Sequence, residues 1–152
     1  MLDRFEQFTA AISTIYRFVQ KIERDEMEKY GLKGACAQYL LAMARHPEGI
    51  TAAALCDVCD RDKAAVSRIL SEMEEKGLIA RAHSGESQYR APLVLTAAGQ
   101  KAANYVNQKA SRAAELAGQG LSDEDRTVLY ASLDRITANI AHLSRAGIPE
   151  QE

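Results

Sequence analysis

The stretch Thr51–Gly77, "TAAALCDVCDRDKAAVSRILSEMEEKG", carries two short runs of helical periodicity joined by only "DRD". Two short helices linked that closely have the sequence form of a helix–turn–helix. Thr51 suits the N-cap of the first helix, whose inward residues are Leu55 and Cys59. Asp62 suits the N-cap of the second, and Gly77 ends it. On a wheel of about 100° per residue, Val66, Ile69, Leu70 and Met73 fall together and face a core. Lys63, Ala64, Ser67 and Arg68 share the opposite side, with Glu74 and Glu75 outward only in the last turns. The exposed face is therefore basic and small at its start and acidic at its end. Such a face is either ordinary solvated surface or one trimmed for close approach. A helix that enters the DNA major groove by its N-terminal turns has this gradient: small residues admit the backbone, and Lys, Arg and Ser reach base edges or phosphates.

The flanking sequence fills in the rest. Residues 2–30 read as one long helix with an apolar stripe at Phe5, Phe8, Ile12, Ile15, Val19 and Ile22, ended by Gly31. A helix over about 35–45 turns Leu40, Leu41 and Ala44 inward, and "HPEG" is a turn. "LIARA" and "APLVLT" read as two short strands around a polar loop, "HSGESQYR", with Pro92 restricting the second to a sheet edge. Thr96 starts a long helix to about Gly118. Ser122 and Asp125 resemble a capping box opening a last helix to about Arg145, which buries Val128, Leu129, Leu133, Ile136, Ile140 and Leu143. The expected fold is mainly α with a small β-hairpin wing: a winged helix–turn–helix plus terminal helices.

The run "ITAAALCDVCDRDKAAVSRILSEMEEKGLIAR", followed closely by "LVLTAAGQ", resembles the MarR family of bacterial transcriptional regulators. The matching features are Ile50–Thr51, Leu55, Val66–Ser67–Arg68, Met73 before "EEKGLI", Arg81, and Leu95–Thr96 with Gly99. The resemblance implies one chain over 1–152, a DNA-binding lobe over 33–100, and dimerisation helices over 1–30 and 101–146. It implies a homodimer on a pseudo-palindromic operator in double-stranded DNA, acting as a repressor released by a small-molecule effector. By the same resemblance Lys63, Ala64, Ala65, Ser67 and Arg68 occupy the recognition helix, and Arg81 follows the first wing strand. The family pattern places an Asp-x-Arg before the second strand. Here the stretch is "SQYR", without the aspartate, and Arg90 is the wing-tip candidate.

Charge constrains this reading. The formal net charge is −2, and from Thr51 to Thr96 there are six basic residues against seven acids. Binding to DNA cannot then rest on bulk attraction. It requires the basic residues on one face, doubled in a dimer. The first helix carries Tyr16 and Phe18 beside its stripe, more apolar surface than a lobe this small can cover, which points to a second subunit.

Other chemistries find weaker support. Cys56 and Cys59 form a CxxC, which invites a redox-sensing regulator, but both positions suit core packing and no second metal-ligand pair accompanies them. Tyr16, Tyr30, Tyr39 and Tyr105 are candidates for lining an effector pocket. No phosphate-cradling glycine loop and no nucleophile beside a histidine suggests an enzyme, and nothing calls for a cofactor or metal. The acidic balance leaves a winged-helix protein–protein adaptor as the other alternative. No apolar run approaches a membrane span, and "MLDRFEQF" has no signal-peptide pattern, so a cytoplasmic location is expected.

Overall fold

The computed structural model describes residues 2–82 and 91–149. Six helices and two strands follow in the order α1 (Leu2–Glu28), α2 (Cys36–Ala44), α3 (Ala52–Cys59), α4 (Lys63–Glu75), β1 (Ile79–Arg81), β2 (Leu93–Leu95), α5 (Ala97–Ala117) and α6 (Asp123–Ala146). The chain divides into two compact units, residues 1–110 and 111–152.

In the first unit one core joins α2, α3, α4, the strands, the start of α5 and the end of α1. Leu40, Leu55, Met73 and Leu93 are fully enclosed. Three helix starts obey their caps. The Thr51 hydroxyl accepts from the Ala54 amide, and the Asp62 carboxylate accepts from the Ala65 amide at 2.9 Å. The Thr96 hydroxyl accepts from the Gly99 amide at 3.1 Å while donating to the Gly77 carbonyl. Gly77 leaves α4 through φ +68°. Gly99 meets a different demand: a Cβ there would lie 1.9 Å from the Leu78 carbonyl oxygen. Only a residue without a side chain lets α5 start so close to the turn that ends α4.

β1 and β2 pair antiparallel, with Ile79 opposite Leu95 and Arg81 opposite Leu93. The sheet has two strands, so β2 is an edge strand, as Pro92 predicts, although one of its residues meets a further segment. Leu93 exchanges both backbone hydrogen bonds with Ile50, at 2.9 and 3.0 Å, on the side away from β1. Pro92 precedes the strand and contributes only its carbonyl, which accepts from the Ala82 amide at 2.8 Å, so its missing N–H costs the ladder nothing.

Two expectations are corrected. Ala44 is exposed, because α2 packs nearly all round, through Cys36, Ala37, Tyr39, Leu40, Ala42 and Met43, and its last residue points outward. α6 buries none of its residues within the chain, although Leu133 and Ile136 are half-buried. In α1 the anchor to the core is Met27 near its C-terminus, followed by Leu32 in the loop. Most of the stripe stays outside that core: Phe5 is 68% exposed and Ile15 60%.

In the second unit, the Ser122 hydroxyl accepts from the Asp125 amide while the Asp125 carboxylate accepts from the Ser122 amide, both at 3.1 Å. This is the expected capping box. The Ser122 hydroxyl and amide hold the Asp125 carboxyl below its ordinary range. Arg126 donates to the Gly118 carbonyl at 2.6 Å, tying the end of α5 to the start of α6. No helix among the described residues is long and apolar enough to cross a membrane.

Candidate nucleic-acid interface

Helix α4 is built from two incompatible faces. Val66, Leu70 and Met73 are sealed in the core, with Ile69 partly covered. Lys63, Ala64, Ser67 and Arg68 are exposed and Ala65 is half-buried. The wheel separates them because positions three and four apart share a side while those two apart do not. Asp62 fixes where this helix begins. Its carboxyl is held below the usual range, chiefly by the hydrogen bond from the Ala65 amide. The uncapped amides and the helix dipole then leave the first turn electropositive, beside Lys63 and Arg68. Glu72 is turned away to a 3.0 Å ion pair with Lys33 of the α1–α2 loop.

Beside this face lies a cleft of about 890 Å³ between α3, α4 and β1. One wall is the start of α3, at Thr51, Ala52 and Cys56; the other is Lys63, Ser67, Ser71 and Glu74 of α4, with Arg81 of β1. Arg81 Nε donates to Glu74 Oε1 at 3.1 Å. The end of β1 is therefore tied back to α4. Ser71 and Glu74 have no place among the sequence-derived site residues. The signal was available: from Ser67 they stand four and seven residues on, along one helix edge. Arg90 lies outside the described residues.

The four tyrosines do not converge. Tyr30 and Tyr105 meet, with ring centroids 4.9 Å apart. Tyr39 is buried in the core, and burial raises its phenol pKa. Tyr16 is exposed on α1, bonded to Gln20. The pair Tyr30 and Tyr105 borders an open groove of about 540 Å³ along α5, with Gln100, Lys101, Asn104 and Gln108. Tyr105 donates to Glu26 at 2.5 Å, and Lys29 donates to the same carboxylate at 2.7 Å. The bond from Lys29, and then the one from Tyr105, hold the Glu26 carboxyl below its usual range.

Cys56 and Cys59 are free and half-buried, packed against the core. Burial pushes the Cys59 thiol up, and the fully enclosed Cys36 up to about 11. A raised pKa starves a thiol of its reactive thiolate form, the opposite of what oxidant sensing requires. Among the described residues no three His, Cys, Asp or Glu side chains gather as a metal site.

Residues 30–88, from the end of α1 through the helix–turn–helix and β1, match the sequence profile of the MarR family. A Thauera aromatica protein described as a transcriptional regulatory protein for the hcr operon is 30% identical over 125 residues, spanning 82% of this chain and 72% of that protein. The chain belongs to the MarR family. Solved structures share the fold over most of the chain. A Listeria monocytogenes protein described as a MarR family transcriptional regulator, crystallised with 26mer DNA, superposes with a TM-score of 0.81 at 21% identity, covering 95% of this chain and 97% of the other. The S. aureus MepR–DNA complex gives 0.77 at 19% identity, covering 88% and 96%. In this MarR family chain the Leu95–Thr96–Gly99 signature lies beyond the matched profile. Its role is visible in the structure: Thr96 and Gly99 dock α5 on the turn between α4 and β1.

Proposed function

We propose that the protein is a homodimeric, DNA-binding transcriptional repressor of the cytoplasm, in which α4 reads a pseudo-palindromic operator and a small molecule releases it. The observation that carries this reading is the division of α4: Val66, Leu70 and Met73 enclosed, Lys63, Ala64, Ser67 and Arg68 open to a ligand. Small side chains at Ala64, Ala65 and Ser67 allow the helix backbone to come close to base edges. Arg68 and Lys63 supply guanine or phosphate contacts, and Arg81 and Arg90 supply the wing's. The two relatives solved with DNA support the choice of ligand.

A dimer is supported by the outer face of α1, where Phe5, Ile12, Ile15, Phe18, Val19 and Ile22 are all exposed in the single chain. α6 adds Val128, Leu129, Ile140 and Leu143. So many exposed large apolar side chains are unusual on a monomer. Residues 1–30 and 101–146 are accordingly proposed as dimerisation helices around a reading lobe over 33–100. The Tyr30–Tyr105 groove is the proposed place for an effector, with an aromatic wall and amide and ammonium donors.

The test is selection of bound duplexes from a random-sequence pool. The reading expects an inverted repeat with half-sites about 34 Å apart, one turn of DNA. Enrichment of no sequence would instead favour a protein–protein adaptor.

A further inference from the structure

We propose that Glu74 is a positioning residue for DNA binding: it holds the Arg81 guanidinium at the foot of the wing, oriented to meet a backbone phosphate. This inference rests on the DNA-binding reading above and adds to it a residue that the recognition face does not contain.

The two side chains come from either side of the Gly77 turn, Glu74 near the end of α4 and Arg81 at the end of β1. Arg81 Nε meets Glu74 Oε1 at 3.1 Å, and both side chains are about one-third exposed, 35% and 33%. Both line the cleft that Lys63, Ser67 and Ser71 of the recognition helix also line. A guanidinium has five donors in a rigid fork, so anchoring through Nε fixes the plane in which the remaining donors lie.

Charge alone does not favour Glu74 in this position. A carboxylate on a cleft beside the reading face repels a polyanion. Of its acidic neighbours, Glu72 is paired with Lys33 instead. Glu75 does not line the cleft. Among the described residues, Glu74 is the one of the three that pairs with Arg81 of β1. Its charge works against DNA, and its geometry, acting through Arg81, works for it. The two effects have opposite signs, so they can be separated.

The probe is the duplex that the parent protein enriches from a random pool, with affinity read by fluorescence anisotropy. Glu74→Ala is expected to weaken binding about fivefold, the scale of a half-exposed ion pair. In an Arg81→Ala background the same change is expected to leave affinity unchanged or raise it slightly, because only the repulsion remains. Glu74→Gln, which keeps the acceptor oxygen, is expected to bind at least as well as the parent. Thermal unfolding of each variant confirms that the fold is retained. Unchanged or tighter binding by Glu74→Ala in the parent background would overturn the proposal. So would an equal loss with Arg81 absent. A parent protein that enriches no duplex would contradict the DNA-binding reading itself, a result distinct from either of these.

Discussion

The outer face of α4 and the outer face of α1 are both exposed, for opposite physical reasons. On α4 the exposed residues are small or cationic, and water solvates them at little cost. On α1 they are Phe, Ile and Val, and each forfeits much of the roughly 1.5–3 kcal/mol that burying such a side chain contributes. The first face is stable as it stands and suits an intermittent, charged partner. The second suits a permanent, apolar one. One chain thus carries two interaction surfaces whose chemistry differs as their proposed ligands do: DNA for α4, a second copy for α1.

Placing a charge on the apolar face is the harshest way to break this contrast. Ile15→Glu is expected to dissociate the dimer, raising its dissociation constant by about a hundredfold or more, as truncation of buried interface anchors does. Analytical ultracentrifugation would read the change, and operator affinity would fall with it. A variant that stays dimeric would remove α1 from the interface. Arg68→Ala attacks the other face. Loss of one base-reading arginine is worth roughly 1–3 kcal/mol, about tenfold to more than a hundredfold in operator affinity, with the dimer unchanged by ultracentrifugation. Asp62→Asn gives the smallest effect and sharpens the account of α4 itself. Asparagine is also a good N-cap, so stability at neutral pH should barely move. The folded Asp62 pKa is depressed, so its contribution is present above the ordinary carboxylate range, near 3.8, and is lost as pH falls through the folded value. The variant should lose less stability than the parent between pH 4 and pH 2, measured by acid titration followed by circular dichroism.

The sequence was most informative where structure is local. Thr51, Asp62 and Ser122 cap helices within three residues of themselves, and a capping signal needs no tertiary knowledge. The inward face of α4 was legible because its helix is amphipathic. α2 was less so: apolar on nearly every side, it offers no stripe by which to place Ala44. Contacts between distant segments were not legible. Leu93 pairs with Ile50 across the helix–turn–helix, a single bridge on the outer side of β2. Tyr105 finds Glu26 across 79 residues. Spacing rules cannot register such pairs, because only the closed fold brings their partners together. The Glu74–Arg81 pair is intermediate. It spans a single turn, and the helical offset from Ser67 to Glu74 hinted at it.

A thiol placed on each face reports directly on what covers it. Ser67→Cys and Ile15→Cys can be alkylated with a maleimide, with and without the selected duplex, and read peptide by peptide by mass spectrometry so that Cys36, Cys56 and Cys59 are resolved separately. The account predicts that DNA protects Cys at position 67 strongly, while position 15 is slow to react whether or not DNA is present. Equal reactivity of position 67 in free and DNA-bound protein would contradict the claim that this side of α4 lies against the bases.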